Sequence, residues 1–305
     1  MSVCAVLLTR NRKDYLKQAL DAVRAQTRRP EKVVVVDNAS TDDSAEFVAA
    51  AFPEFEVLRL DQNLGSAGGY QQGMKWAFEQ GYDALWFLDD DVRPEPDALA
   101  RLLQTAESVR EKAGDKITVQ CLRVWPDGVS ASLPAIEFDL RSVWIMPERI
   151  RVLASSRYPR IADLPEVLEV RDFASEGVLI PRRAIEACGL LNDDLFFYGE
   201  DTEYALRLSR AGYRHFLVSG ARLTRMLASP NGRMPNWKLR YWIRNVASMR
   251  RAYGTTAAAR FVTPWLWALR YFVPATAKGL WLRDWERYRA ICKGSYEAVA
   301  PAKRA

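Results

Sequence analysis

Asp89-Asp90-Asp91 is the group of residues in this sequence that most requires a chemical explanation. Three adjacent carboxylates repel one another, and at the mouth of a strand they cost stability unless a cation or a donor offsets them. Mg2+ or Mn2+ suits such a group, because hard cations prefer oxygen and are held by one or two carboxylates plus substrate phosphates. A solvated acidic turn capping the helix that follows would account for the same three residues.

A second acidic group, Glu200-Asp201 with Glu203, opens a predicted helix. Acidic residues there complement the helix dipole, and a carboxylate facing a substrate also meets the needs of a general base. The run Asn63-Leu64-Gly65-Ser66-Ala67-Gly68-Gly69 reads as a glycine-rich turn opening a helix. There the backbone can approach a ligand and the helix N-terminus favours anions. It is neither G-x-x-x-x-G-K-[ST] nor G-x-G-x-x-G, which argues against a P-loop NTPase and a dinucleotide-binding dehydrogenase. His215 is the single histidine. It makes no zinc site and no Ser/His/Asp or Cys/His set, and reads as a structural residue.

These groups need a frame. Val3–Leu8, the β-branched run Lys32–Val36, Glu56–Leu60 and Ala84–Leu88 read as strands. Helices are expected over Asp14–Gln26, Asp42–Phe52, Tyr70–Gln80 and from Pro94 or Pro96 to Arg110. This alternation predicts an α/β fold: a mostly parallel sheet with helices on both faces. In such sheets ligands bind beyond the carboxyl ends of the strands. Thr9-Arg10-Asn11-Arg12, Asp37-Asn38-Ala39-Ser40-Thr41 and the triple aspartate all follow strands, so they should line one edge. Five prolines between residues 123 and 172 predict irregular loops and short strands. Phe173–Pro181 reads as a strand, Arg182–Ala187 as a helix, Thr202–Ala211 as a helix closed by Gly212, and Arg214–Val218 as a strand.

The 305 residues are 49% hydrophobic and 27% charged, which excludes a disordered or collagen-like chain. Four scattered cysteines without a CxxC pair read as reduced core thiols of a cytosolic protein. The N-terminus reads as a buried strand rather than a signal peptide, and no span is expected. Residues 1–232 carry 29 Lys and Arg against 35 Asp and Glu, whereas residues 233–305 carry 15 against 3 and six of the ten tryptophans. We therefore expect a catalytic body over 1–232 and a helical, basic, Trp-rich C-terminal segment over 233–305. The body is expected to fall into two halves, near 1–122 and near 123–232. The tail suits an anionic surface better than nucleic acid, for which the acidic body has no signature.

The order TRNR, DNAST, NLGSAGG, LDDDV, GED and YWIRN resembles the family-2 inverting glycosyltransferases with the GT-A fold, over about residues 1–250. NLGSAGG, FLDDDV and Tyr241-Trp242-Ile243-Arg244-Asn245 look most like the galactofuranosyl- and rhamnosyltransferase branch. The resemblance implies a nucleotide-diphosphate-sugar donor (UDP or dTDP), Mn2+ or Mg2+, and a glycan or lipid-linked glycan acceptor in cell-surface polysaccharide synthesis. By motif position, Asp37 would bind the nucleoside with Thr9 and Arg12 beside it, and Asn63, Gly68 and Gly69 would lie against the donor. Asp89 and Asp91 would flank the diphosphate and the metal, with Asp91 the direct ligand, and Asp201 would be the catalytic base. A nucleotidyltransferase should carry a glycine-rich N-terminal phosphate loop, which TRNRKDYL lacks. A degenerate scaffold of the same fold is the other alternative, against which the intact DDD and GED stand.

One position departs from the family pattern. Where a metal-binding histidine is usual, this chain has Ser219–Met226 with none, and Arg225 falls near the expected place. Arginine cannot ligate a cation but can grip phosphate oxygens. Arg225 is therefore expected on the donor diphosphate, with the metal held mainly by Asp91, the diphosphate and water. In the tail, Phe261, Trp265, Leu269, Phe272, Val273 and Leu280 share a helical face, with Arg260, Arg270 and Lys278 away from it. That pattern predicts peripheral binding to an anionic membrane at the cytoplasmic face, with Pro264 and Pro274 breaking the helix into short pieces.

Overall fold

The computed structural model describes residues 1–143, 151–227, 234–282 and 285–299, without the side chains of 274–282. The chain forms two compact units. The first comprises Met1–Glu137, Leu153–Asp194 and Glu200–Ala228, and the second Phe138–Val152, Leu195–Gly199 and Ser229–Ala305.

The first unit begins with the alternation read from the sequence: β1 (Val3–Thr9), α1 (Lys13–Arg24), β2 (Lys32–Asp37), α2 (Ser44–Ala51), β3 (Glu56–Arg59), α3 (Gly65–Glu79) and β4 (Ala84–Asp89). Then follow β5 (Val92–Pro94), α4 (Ala98–Ala113), β6 (Ile117–Val124), the short strands β7 (Ala135–Phe138) and β8 (Arg151–Leu153), whose residues are divided between the two units, β9 (Val167–Val170), β10 (Val178–Pro181), α5 (Arg182–Cys188), α6 (Glu200–Arg210) and β11 (Arg214–Arg225). The main sheet runs β3-β2-β1-β4-β10-β6-β11-β5, with β9 also on β11. Strands β3, β2, β1 and β4 are parallel; β10 is antiparallel to both neighbours. This is a mostly parallel, mixed sheet flanked by helices.

Strict alternation sends successive residues to opposite faces. Val33 and Val35 join Leu7, Trp86 and the inner residues of α1 and α4 in one core, while Val34 and Val36 join Leu8, Phe87 and those of α3 and α6 in the other. The double burial explains why β2 is a continuous valine run rather than an alternating one.

Three local readings are corrected. Helix α3 starts at Gly65 rather than Tyr70, so most of the glycine-rich run is its first turn. Only Val178–Pro181 of the Phe173–Pro181 stretch is strand, because a turn at Gly177 (φ +94) interrupts it. The last strand extends to Arg225, across an irregularity between Val218 and Arg222.

The second unit contains α7 (Asn236–Tyr253), α8 (Ala257–Phe261), α9 (Thr263–Leu282) and α10 (Trp285–Val299) around Leu239, Ile243, Ala247, Trp267, Ala268 and Ile291. A helical C-terminal part is thus present. The expected break at Pro274 does not occur: α9 runs through it. Proline removes one helical hydrogen bond, and the packing of the inner face of α9 (Trp267, Ala268) in the helical core offsets that loss. Trp267 also donates Nε1–H to the Ile243 carbonyl at 3.0 Å. No described helix is long and apolar enough to cross a membrane. The side chains of Lys278 and Leu280, named in the sequence reading, lie outside those described.

Candidate active site

Parallel pairing fixes the mouth of the crevice. Thr9 is in register with Asp37, and Leu8 with Asp89, so the three polar clusters lie at one edge of the sheet. They are also laced together. The Asn38 side chain accepts from Leu64 N–H (2.8 Å) and donates to the Gly65 carbonyl (2.9 Å), which ties DNAST to the glycine-rich run. Asn11 N–H donates to Ser40 Oγ (3.0 Å), and Asn11 Oδ1 accepts from Thr41 N–H (2.7 Å).

The three aspartates differ in their surroundings. Asp90 is buried and accepts from Thr9 Oγ1 (2.9 Å), Arg10 N–H (3.3 Å) and Arg12 Nη1 (2.9 Å). Desolvation nevertheless raises its pKa to about 6, against the lowering effect of Arg12. Asp89 accepts the Tyr70 hydroxyl. Asp91 is 4% exposed, and its Oδ1 is buried without a hydrogen-bond partner, while Oδ2 lies 3.5 Å from Arg12. Desolvation and the Glu176 charge raise the pKa values of both Asp89 and Asp91. A buried carboxylate oxygen lacking a donor, among other carboxylates, is a hard-oxygen position that fits Mn2+ or Mg2+. Among the described residues no three His, Cys, Asp or Glu gather into a site able to hold a metal.

The residues expected at the donor differ in their surroundings. Thr9 is 1% exposed and its hydroxyl donates to Asp90, so it braces the triple aspartate. Gly68 and Gly69 are buried, and a Cβ there would stand 2.6 Å from Leu64 Cβ and 2.4 Å from Leu8 Cδ1. The missing side chain lets Gly69 lie against Leu8 of β1 and Gly68 against Leu64 just ahead of α3. Arg12 is half-exposed and held by Asp90 and Asp91. Asp37 is fully buried; its Oδ1 accepts from Ser40 N–H (3.0 Å) and its Oδ2 has no hydrogen bond, with Arg59 Nε at 3.9 Å. Asn63 is exposed at the start of α3, where its Oδ1 accepts from Gly65 N–H (3.0 Å).

Arg225 reaches the triple aspartate through strand pairing: it is in register with Val92, and Met226 N–H donates to the Asp91 carbonyl at 2.8 Å. Its Nε lies 3.2 Å from Glu176, and its guanidinium sits over Trp125 at 5.3 Å. Glu176 also faces Arg123 at 3.5 Å. Sequence reasoning missed Glu176, which carries no motif; its signal was Gly177, whose left-handed backbone turns the chain there.

Asp201 is the second residue of α6, partly exposed, with Oδ1 accepting from Thr202 N–H at 2.6 Å. Its neighbour Glu200 is buried and accepts the Ser66 hydroxyl. His215 is structural, as read: Nδ1 pairs with Thr118 Oγ1 (2.8 Å), and Nε2 faces Ser209 Oγ and the Ala205 carbonyl, both at 3.0 Å.

The sequence and the fold both have counterparts among known proteins. The profile of Glycosyl transferase family 2 matches residues 4–122. The chain is 32% identical over 235 residues to galactofuranosyltransferase GlfT1 of Mycolicibacterium smegmatis, covering 75% of this chain and 71% of that protein. It is 25% identical over 241 residues to an N-acetylglucosaminyl-diphospho-decaprenol L-rhamnosyltransferase of Mycobacterium tuberculosis, covering 72% and 75%. Among solved structures, GalNAc-T7 with UDP, GalNAc and Mn2+ is similar with a TM-score of 0.60 at 16% identity. That likeness covers 96% of this chain but 55% of that one. S. aureus TarS 1–349 is similar with a TM-score of 0.55 at 16% identity, covering 98% and 81%. These likenesses show the fold, GT-A, and by its sequence the chain belongs to glycosyl transferase family 2.

Proposed function

We propose that this protein is an inverting glycosyltransferase moving galactofuranose or rhamnose from a UDP- or dTDP-linked donor to a glycan or lipid-linked glycan acceptor. It would serve cell-surface polysaccharide synthesis at the cytoplasmic face of the membrane. Asp91 carries this reading: a buried carboxylate oxygen without a partner, beside Arg12 and in the field of Arg225, at the carboxyl edge of a parallel sheet. Such a place suits a divalent cation and a diphosphate together. The names of the two relatives support the choice of sugar.

In this reading Asp201 accepts the proton of the acceptor hydroxyl as its oxygen attacks the anomeric carbon. The bond from that carbon to the diphosphate oxygen breaks on the opposite face, and the nucleoside diphosphate leaves with the electron pair. Mn2+ or Mg2+, when bound, neutralises charge on the departing diphosphate. Asp91 and Asp89 would hold the ion, Arg225 and Arg12 add fixed positive charge, Asp37 takes the nucleoside, and Asn63 lies alongside the donor.

A thermal-shift panel of UDP, dTDP, GDP and their sugars, with and without Mn2+, tests the reading. A ligand at 100 times its dissociation constant stabilises by about 2.7 kcal/mol. The nucleoside diphosphate that serves as leaving group should shift the melting temperature strongly with Mn2+ and weakly with EDTA, and Asp91→Ala should abolish the difference. No shift with any nucleoside diphosphate would overturn it.

A further inference from the structure

The five residues Leu195–Gly199, immediately ahead of Glu200-Asp201, have an improbable backbone. Phe196 (φ +58) and Tyr198 (φ +72) are both left-handed, as is Gly199 (φ +90). For an aromatic residue this conformation costs about 1–2 kcal/mol and persists only where surrounding contacts impose it.

Those contacts come from one helix, α7. Asn245 is 0% exposed, and its Nδ2 donates to the carbonyls of Leu195 (2.9 Å), Phe197 (2.9 Å) and Tyr198 (2.8 Å). Its Oδ1 accepts from Arg244 Nε (2.7 Å), and Arg244 Nη2 donates to the Leu195 carbonyl (2.8 Å). The aromatic rings are seated individually: Phe196 stacks on Tyr241 at 4.7 Å, and Phe197 and Tyr198 meet Trp237 and Trp242 edge-on at 5.0 and 6.3 Å. An amide is well suited to this position, because it offers two hydrogens to converging carbonyls without adding a charge.

We propose that Asn245 is a positioning residue for Asp201. It holds Leu195–Gly199 in its left-handed path, and these five residues run directly into Glu200-Asp201. The proposal rests on the reading of Asp201 as the base, whereas the clamp on the loop is independent of it. A displacement of about 1 Å at a reacting group can cost about 100-fold in rate, so a loosened loop should lower turnover and spare the donor site.

The test compares Asn245→Ala, Asn245→Ser and Asp201→Asn in the full chain, by turnover, UDP affinity, hydrogen exchange and the pH dependence of kcat/KM. Asn245→Ala should speed exchange at amides 196–201 and lower kcat about 10–100-fold. UDP affinity should stay within about twofold, and the base limb of the pH profile should move. Asn245→Ser, with one small donor, should lie between Ala and wild type. Faster exchange with unchanged kcat and pH profile would overturn the positioning role, and unchanged exchange would overturn the clamp. Parallel loss of kcat and UDP affinity in both Asn245 variants would also overturn the proposal, as the mark of a purely structural residue. Wild-type turnover in Asp201→Asn would instead refute the base assignment and leave the exchange result to judge the clamp.

Discussion

Ser66 donates its hydroxyl to the Glu200 carboxylate, which ties the first turn of α3 to the first turn of α6 across 134 residues of chain. The glycine-rich motif and the GED motif are therefore in direct contact, and Asp201 follows the residue that makes it. Ser66→Ala deprives a buried carboxylate of a donor, at a cost of about 1–3 kcal/mol. The melting temperature should fall by several degrees and turnover with it, and Ser66→Thr, which keeps the hydroxyl, should recover both. A melting curve of Ser66→Ala that overlays the wild type would remove this role.

Asp201→Asn preserves shape and removes the basic oxygen. Turnover should fall about 10²–10⁴-fold while UDP affinity stays unchanged, because general-base assistance acts in the transition state. Single-turnover transfer measured beside nucleotide binding makes the check. Transfer at the wild-type rate would sink the assignment.

The sheet and its edge were legible because the signals are local. A β-branched run such as Lys32–Val36 forms one kind of strand, and polar residues directly after three such strands share an edge once the strands are parallel. What each polar residue does there was not legible, since that depends on neighbours remote in sequence. Thr9 belongs to Asp90, 81 residues away. Gly69 is a glycine because Leu8 occupies the space of a side chain. Glu176 lies in no motif, yet it meets Arg225 because a turn interrupts what reads as one strand. Asn245 was legible as part of YWIRN, but its partners are backbone carbonyls, which leave no sequence signature.

Arg225 is held between Glu176 and the face of Trp125, and its charge opposes the rise in the Asp91 pKa that desolvation and Glu176 cause. Arg225→Ala should weaken UDP binding about 10–100-fold, the range of a hydrogen bond to a charged group, with part of the loss recovered at high Mn2+. Glu176→Gln should act in the opposite sense by removing a negative charge that repels the diphosphate, so that UDP binds more tightly in EDTA. Calorimetric titration of both variants reads the two signs. Unchanged affinity in Arg225→Ala would leave that residue without a role.

His215 carries a pH prediction. Desolvation lowers its pKa from 6.5 to about 4; the Ala205 carbonyl and Glu169 pull it up, and Arg171 pushes it down. The unfolded chain therefore binds the extra proton first. The contribution of His215 is fully present above pH 6.5 and is lost as pH falls toward 4. The loss should reach about 2 kcal/mol by pH 5. Desolvation raises Asp90 instead, which contributes in the opposite sense over an overlapping window, so the comparison has to be between proteins rather than between pH values. From pH 7 to 5, denaturant stability should fall by about 2 kcal/mol more in the wild type than in His215→Asn. Parallel pH dependence in the two would contradict the burial of a neutral imidazole.

Helix α9 is apolar on both sides for different reasons. Thr263, Pro264, Trp267 and Ala268 face inward and are buried, whereas Trp265, Leu269, Phe272 and Val273, with Phe261 and Val262 just ahead of the helix, form an outward stripe, with Phe261 68% and Trp265 55% exposed. The stripe is flanked by exposed Arg260 and Arg270 in a segment with 15 basic and 3 acidic residues. An outward apolar row with basic flanks suits the interface of an anionic bilayer, where each basic residue contributes about 1 kcal/mol and the aromatic rings enter the headgroup layer. Vesicles containing phosphatidylglycerol should therefore sediment the protein, less so at high salt, and vesicles of phosphatidylcholine alone should sediment it poorly. The triple variant Trp265→Ser, Leu269→Ser, Phe272→Ser alters exposed positions and should keep its melting temperature while losing most of the bound fraction. Binding that ignores anionic lipid, or survives the triple variant intact, would show that the stripe does not dock on a membrane.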